Sequence, residues 1–245
     1  NIGGYTPDAV SGGTNDSRVV PGKPVGSFYL VPFSHIDDES GRPVYIDADG
    51  NNTFDYDFVN DRQYVGDGLP DFIGGMTNTV TYKQWTVSAL LNFSKGAKIF
   101  DSSAKRQMGV VTGWNMREDA LDRWTQPGDD ATYPVLTLDG ANWGIEESTP
   151  WLNTDLYVYD ADYMRVKNLT LAYMVPDFMI RKRNITRMTF TAGVTNAFLW
   201  TNFPGLDPEV VRDFENQQDR NLSGNVTFLT PPQERAFTLQ WSFSF

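Results

Sequence analysis

The chain has 245 residues, 14% of them aromatic and 21% charged, with acids outnumbering bases 31 to 20 for a net charge of -11. That balance argues against a nucleic-acid partner, and no stretch approaches the roughly 18 to 20 continuous apolar residues of a membrane helix. The absence of cysteine excludes a disulfide framework, zinc–thiolate sites and thiol catalysis. A membrane protein of this composition has to cross with β-strands, because only helices and closed barrels satisfy every backbone group in lipid. The opening "NIGGYTPDAV" shows no basic n-region and no apolar h-region, so no targeting signal is legible there.

In chain order, "VGSFYLVPF" is a marginal strand. The segment "DADGNNTFDYD" then sets Asp47, Asp49, Asn51, Asp55 and Asp57 within eleven residues. Oxygen ligands at alternating positions around a Gly turn suit a hard cation such as a structural Ca²⁺, although an EF-hand would need Gly at Asn52 and Glu at Phe58. The competing reading is an Asx-rich turn whose carboxylates cap backbone amides.

From Phe72 the chain alternates. Phe72, Gly74, Met76, Val80 and Tyr82 share one face, broken only by Asn78, and Thr77, Thr79 and Thr81 take the other. After Lys83 and Gln84 a second run puts Trp85, Val87, Ala89, Leu91 and Phe93 against Thr86, Ser88, Asn92 and Ser94, with Leu90 as the exception. A two-residue turn pairs Tyr82 with Trp85 and keeps both apolar faces together. About sixty residues then intervene, holding Trp114, Trp124, Trp143 and Trp151. Within them "NMREDALDRW" predicts a short helix capped by Asn115 that buries Met116, Leu121 and Trp124. Trp143 and Trp151 are the better candidates for stacking on a sugar or peptide.

Further on, Leu169, Leu171, Tyr173 and Val175 oppose Asn168 and Thr170, and Met188, Phe190, Ala192, Val194 and Phe198 oppose Thr189, Thr191 and Thr195. The last strand sets Phe237, Leu239, Trp241, Phe243 and Phe245 against Thr238, Gln240, Ser242 and Ser244. If it finishes on the periplasmic side, strict up-and-down alternation places both short turns there and both long loops outside, the asymmetry of outer-membrane barrels. A soluble sandwich explains the alternation but gives no reason for this sorting of loops. Five strands, or six with "VGSFYLVPF", fall short of the roughly eight of the smallest barrels. The remainder is expected from another polypeptide or an upstream part.

Catalysis finds no support, and no catalytic residue is assigned. His35 is the sole histidine, with no nucleophile elbow beside it. The pairs Asp37–Asp38, Asp129–Asp130 and Glu146–Glu147 read as solvated loop acids rather than a glycosidase dyad.

The strings "YMRVKNLTLAYMVP", "GVTNAFLWTNFPGLDPEV" and "PPQERAFTLQWSFSF", preceded in order by "GKPVGSFYL", "DADGNNTFDYDFVNDRQYVGDGLPDFIGGMTNTVTYK" and "RWTQPGDDATYP", resemble the C-terminal end of SusC/RagA-type TonB-dependent outer-membrane transporters. The resemblance implies the C-terminal strands of a barrel of about 22 strands, closed by a plug, energised through TonB and capped by a SusD-like lipoprotein that captures glycans or peptides. It implies that residues 1–245 are roughly the last quarter to third of such a protein, with the plug, the TonB box and the N-terminal strands lying elsewhere. No cofactor is required. The rivals are a soluble or surface-attached β-sandwich that grips glycans through Trp143, Trp151 and a calcium loop, and an outer-membrane barrel scaffold that does not transport.

Overall fold

The computed structural model describes residues 17–57, 59–108, 115–136, 154–180, 185–211 and 224–245. In chain order its strands are β1 (Ser17–Arg18), β2 (Ser27–Leu30), β3 (Phe33–Ile36), β4 (Pro43–Ile46), β5 (Asn52–Thr53), β6 (Gln63–Gly66), β7 (Phe72–Tyr82), β8 (Trp85–Lys95), β9 (Lys98–Asp101), β10 (Val158–Asp160), β11 (Tyr163–Met174), β12 (Arg187–Thr201), β13 (Val226–Thr227) and β14 (Ala236–Ser244). Among the described residues, helix is confined to α1 (Ala104–Gln107), α2 (Asp177–Ile180) and single 3-10 turns at Glu118–Leu121 and Asp155–Tyr157. The chain divides into two compact units, the first built from Asn1–Leu69, Lys98–Tyr159 and Val211–Thr230, the second from Pro70–Ala97, Asp160–Val210 and Pro231–Phe245.

The second unit is one antiparallel sheet in the order β14-β12-β11-β8-β7. Its strands are the alternating runs of the sequence, and β7 and β8 meet at the expected turn, with Tyr82 opposite Trp85. Lys83 holds that turn at φ 55°, a left-handed conformation that fits the twist of a tight hairpin. Pairing register places the apolar residues of all five strands on one face. Val87 stands opposite Leu171, Leu171 opposite Ala192, and Ala192 opposite Leu239.

One irregularity escaped the alternation pattern. The register of β11 shifts between Val166 and Asn168 against both neighbours, and Asn196 in β12 takes φ 51°. The shift matters because side chains alternate with period two. It lets Met164 and Val166, paired with Phe93 and Leu91, continue the face that Leu169, Leu171 and Tyr173 set further along. Asn196 is put to use: its Nδ2 donates to the Glu234 carbonyl at 2.8 Å, and Arg235 Nε donates to the Asn196 carbonyl at 3.2 Å. The bulge therefore fixes where β14 begins.

The first unit folds around its own core. Phe28, Leu30, Val31, Tyr45, Phe100, Met108, Tyr133, Tyr157 and Val226 cluster in its interior. Three small sheets surround them, in the orders β1-β2-β6, β3-β4-β5 and β10-β9-β13. The β9–β13 pair is parallel, Val226 opposite Phe100, so the two long inter-strand segments are woven into one body. Long segments stay ordered only by burying a core of this kind.

Two expectations fail here. "VGSFYLVPF" does not supply a sixth strand to the large sheet but splits into β2 and the start of β3, which belong to separate small sheets. "NMREDALDRW" forms only the 3-10 turn Glu118–Leu121, led by Arg117 without a side-chain cap. Leu121 is 74% and Met116 48% exposed, while Ala120 is the residue buried. A single 3-10 turn cannot bring residues 116, 121 and 124 to one side. Trp124 packs instead over Gly41, where an added Cβ would stand 2.3 Å from the indole, and Trp124 Nε1 donates to the Asp38 carbonyl.

Because Gly41 also holds φ +69°, Gly41→Ala both strains the backbone, by about 1–2 kcal/mol, and displaces the indole. Limited proteolysis is expected to cut faster around residues 38–42 and 124–130, with the large sheet unaffected.

Candidate functional site: a two-faced sheet and its loop network

The large sheet carries its chemistry as a contrast between faces. On the apolar face Phe237 is 76%, Leu239 84% and Trp241 65% exposed, so among the described residues no second sheet covers these side chains as a sandwich would require. Tyr82, Trp85, Tyr173, Phe190 and Trp241 stand in one register row across all five strands. Trp85 and Tyr173 lie 4.6 Å apart and Phe190 and Trp241 4.8 Å. A second aromatic group closes the other end: Phe72 with Phe93 at 5.5 Å and Phe198 with Trp200 at 5.8 Å. Trp85 and Phe93 are eight residues apart on β8, about 27 Å at an antiparallel rise of about 3.4 Å. Tilted by about 40°, that spans about 21 Å, close to the roughly 25 Å apolar band of an outer-membrane barrel. Met76, Val80, Val87, Leu91, Leu169, Leu171, Met188, Val194 and Phe243 fill the same face.

The opposite face is hydroxyl- and amide-bearing: Thr77, Thr79, Ser88, Asn92, Thr170, Thr191, Thr238 and Gln240. Cross-strand hydroxyls pair at Thr79–Ser88 (3.0 Å) and Thr81–Thr86 (3.1 Å). Leu90 lies on this side, opposite Thr77 and Asn168.

At the end of β11 away from the short turns, a charge network ties the chain beyond β12 to the sheet. Arg165 is 2% exposed. Its Nη2 reaches Asp207 Oδ1 at 2.5 Å and its Nε stands 2.5 Å from Glu209 Oε2. Lys167 Nζ joins Glu209 at 2.9 Å and donates to Gln233 Oε1 at 3.0 Å. The Gln233 amide and Tyr163 hydroxyl donate to Asp207 and Glu209. A guanidinium presents its donors in a rigid planar fork that holds two carboxylates in fixed geometry, whereas an ammonium is a point charge without that geometry. The motif "FPGLDPEV" supplies both acids; its role was not legible, because its partners lie about forty residues upstream.

The Asp-rich loop takes the turn form. Asp47 Oδ1 accepts the amides of Asp49 and Asn51 at 3.0 and 2.7 Å, and Asp57 Oδ1 those of Val59 and Asn60. Asp55 faces Arg42 at 3.6 Å. Asp49 shares no centre with them: among the described residues no group of three or more His, Asp or Glu side chains is arranged to hold a metal ion. In this loop Oδ1 of Asp47 and of Asp57 is used to accept backbone amides, as the Asx-turn reading expects. Sequence inspection missed Asp61, which is 8% exposed and joins the two turns by accepting the amides of Ala48 and Asp57. His35 and Asp38 line a cavity of 470 Å³ with Phe33, Asp129 and Asp130, but Asp129 Oδ2 is held by the Thr125 hydroxyl and the Thr125 and Gln126 amides. Trp143 and Trp151 lie outside the described residues, as do Trp114 and the Glu146–Glu147 pair.

The comparisons with known proteins point one way. No family model matches the chain. TonB-dependent receptor P39 of Formosa agariphila is 33% identical over 170 residues, covering 67% of this chain and 16% of that protein. TonB-dependent receptor P3 of the same organism is 25% identical over 239 residues, 91% of this chain and 22% of the receptor. TonB-dependent receptor SusC of Bacteroides thetaiotaomicron is 24% identical over 194 residues, 77% of this chain. Among solved structures, the RagAB peptide importer in its "closed-closed" state superposes with a TM-score of 0.71 at 20% identity over 95% of the chain. The chain is a homologue of the TonB-dependent outer-membrane receptors, SusC among them, and it shares the fold of the matching part of the RagAB importer. It spans 16 to 24% of the length of the curated relatives it matches.

Two measurements check the loops. Arg165→Ala removes the cation facing the buried Asp207 carboxylate, a cost of about 3 kcal/mol, so amides of residues 203–210 are expected to exchange about a hundredfold faster, with Arg165→Lys giving only partial rescue. The amide hydrogen bonds from Asn51 and Val59 hold the Asp47 and Asp57 carboxyls below the ordinary 3.8. A pKa lowered on folding adds stability that is complete above 3.8 and is lost as pH falls through the lowered value. Carboxyl ¹³C resonances of both residues are expected to titrate below 3.8, and replacing Asn51 by Pro to bring the Asp47 value back up.

Proposed function

We propose that this chain is the C-terminal part of the wall of an outer-membrane active transporter that imports glycans or peptides, energised through TonB and capped by a SusD-like lipoprotein. The observation that carries this reading is the exposed apolar face bounded by two aromatic groups about 27 Å apart along the strand. Such a face is stable against hydrocarbon, and the aromatic rings suit its two interfaces. The polar face then lines the lumen, in keeping with its Thr, Ser, Asn and Gln content, and does no covalent chemistry. Among the described residues the sheet ends at β7 and β14. Unpaired ladder edges are not sustainable in lipid, so further strands of the same assembly would flank it, together with the plug on which TonB acts.

The three chain segments of the first unit leave and re-enter the sheet at the strand ends opposite the short turns. In this reading they lie outside the cell, the short turns lie at the periplasm, and the Arg165 network braces the outer end of the wall. Trp143 and Trp151 remain the proposed contacts for cargo, and a peptide importer, RagAB, is among the similar structures.

Paired substitutions on neighbouring residues test the wall. Leu239→Arg puts a charge on the lipid face and is expected to cost about 2–4 kcal/mol, seen as loss of the heat-modifiable folded band. Gln240→Arg, facing the lumen, is expected to leave that band intact. Equal effects would remove the two-faced reading. Mass spectrometry of the native, detergent-extracted assembly is expected to find plug-like sequence and a lipidated partner with this chain, and a detergent-independent lone species would overturn the transporter assignment.

A further inference from the structure

The short-turn end of the large sheet has a chemistry of its own. Just past β11, α2 presents Phe178 at 77% and Met179 at 61% exposure, while its neighbour Ile180 is buried. A four-residue helix with two large apolar side chains in solvent, directly below an aromatic row, is an unusual way to end a turn. Exposed cations occupy the same short-turn end of the sheet. Lys83 occupies the β7–β8 turn with its ammonium 5.2 Å from the Tyr82 ring centre, and Arg187 opens β12 opposite Ser244 of β14. Asp177 is the acid at this end. The other end of the sheet is acidic by contrast, with Asp71, Asp160, Asp162, Asp207 and Glu209 around Lys95, Arg165 and Lys167.

We infer that this end of the sheet is a docking surface for anionic phospholipid: Phe178 and Met179 enter the acyl boundary, and Lys83 and Arg187 contact headgroup phosphates. Charge complementarity selects the occupant. Apolar side chains flanked by bases match an interface whose inner layer is hydrocarbon and whose outer layer is phosphate, and a row of Tyr and Trp just above matches the depth at which such rings settle. A protein partner would need either acids facing Lys83 and Arg187 or a dry apolar socket for Phe178, and it would have to reach past lipid to find the aromatic row. The surface would hold the barrel wall at a fixed depth and enrich anionic lipid around the periplasmic turns.

This inference rests on the membrane reading above, and the test separates the two. The assembly containing the chain is reconstituted in vesicles of 70:30 phosphatidylcholine:phosphatidylglycerol and in phosphatidylcholine alone. Brominated acyl chains report on Trp85 and Trp241: quenching of their emission, lost in Trp85→Phe and Trp241→Phe variants, supports the membrane reading whatever the lipid charge. Phosphatidylglycerol retained after detergent extraction, counted by native mass spectrometry, reports on the docking surface. Each near-surface cation is worth about fivefold in anionic-lipid partitioning. Lys83→Gln with Arg187→Gln is therefore expected to lower phosphatidylglycerol retention at least about tenfold, and Phe178→Ser to lower retention of both lipids, with barrel assembly unchanged in each. Quenching of the tryptophans together with unchanged phosphatidylglycerol retention overturns the docking surface alone. Absence of quenching overturns the membrane reading and the inference with it.

Discussion

The large sheet is organised by one constraint: its backbone groups pair strand to strand while the register keeps one apolar face together across all five strands. The ladder from β7 to β14 supplies the backbone partners, and the exposed Phe237, Leu239 and Trp241 define what must lie against that face. Period-two alternation makes this an all-or-nothing arrangement, since a slip of one residue would turn every apolar side chain to the other side. The bulge between Val166 and Asn168 is therefore a device for preserving the face where strand parity changes, and Asn196 uses the same irregularity to anchor the start of the last strand.

The first unit obeys a different rule. Its strands are short, and its stability comes from a buried aromatic cluster around Phe28, Phe100 and Tyr157 and from carboxylates that terminate turns. Asp47, Asp57, Asp61 and Asp129 all accept backbone amides. An acidic loop sequence is here a sequence of turn caps.

Much of the sheet was legible in advance because its signal is local. Phe72–Tyr82, Trp85–Lys95 and the part of Tyr163–Met174 beyond Asn168 could be read from alternation alone, as could the two-residue turn, since both depend on neighbours within a few residues. The 3-10 turn at Glu118–Leu121 and the division of "VGSFYLVPF" between two sheets could not. In both places tertiary packing overrode a weak local preference. The acids of "FPGLDPEV" looked like loop residues for the same reason: their partners Arg165 and Lys167 are distant in sequence.

The sequence by itself determined which residues share a face of each long strand, where the short turns fall, and the resemblance to SusC/RagA-type transporters, because periodicity and motif order are properties of the chain read along its length. Only the tertiary structure decided that the five faces merge into one apolar surface between two aromatic groups, that Arg165 is buried between two carboxylates, and that Asp47 and Asp57 cap turns. Those facts depend on register between strands and on which distant groups meet, and strand pairing is fixed by the summed contacts of the whole sheet rather than by any one segment.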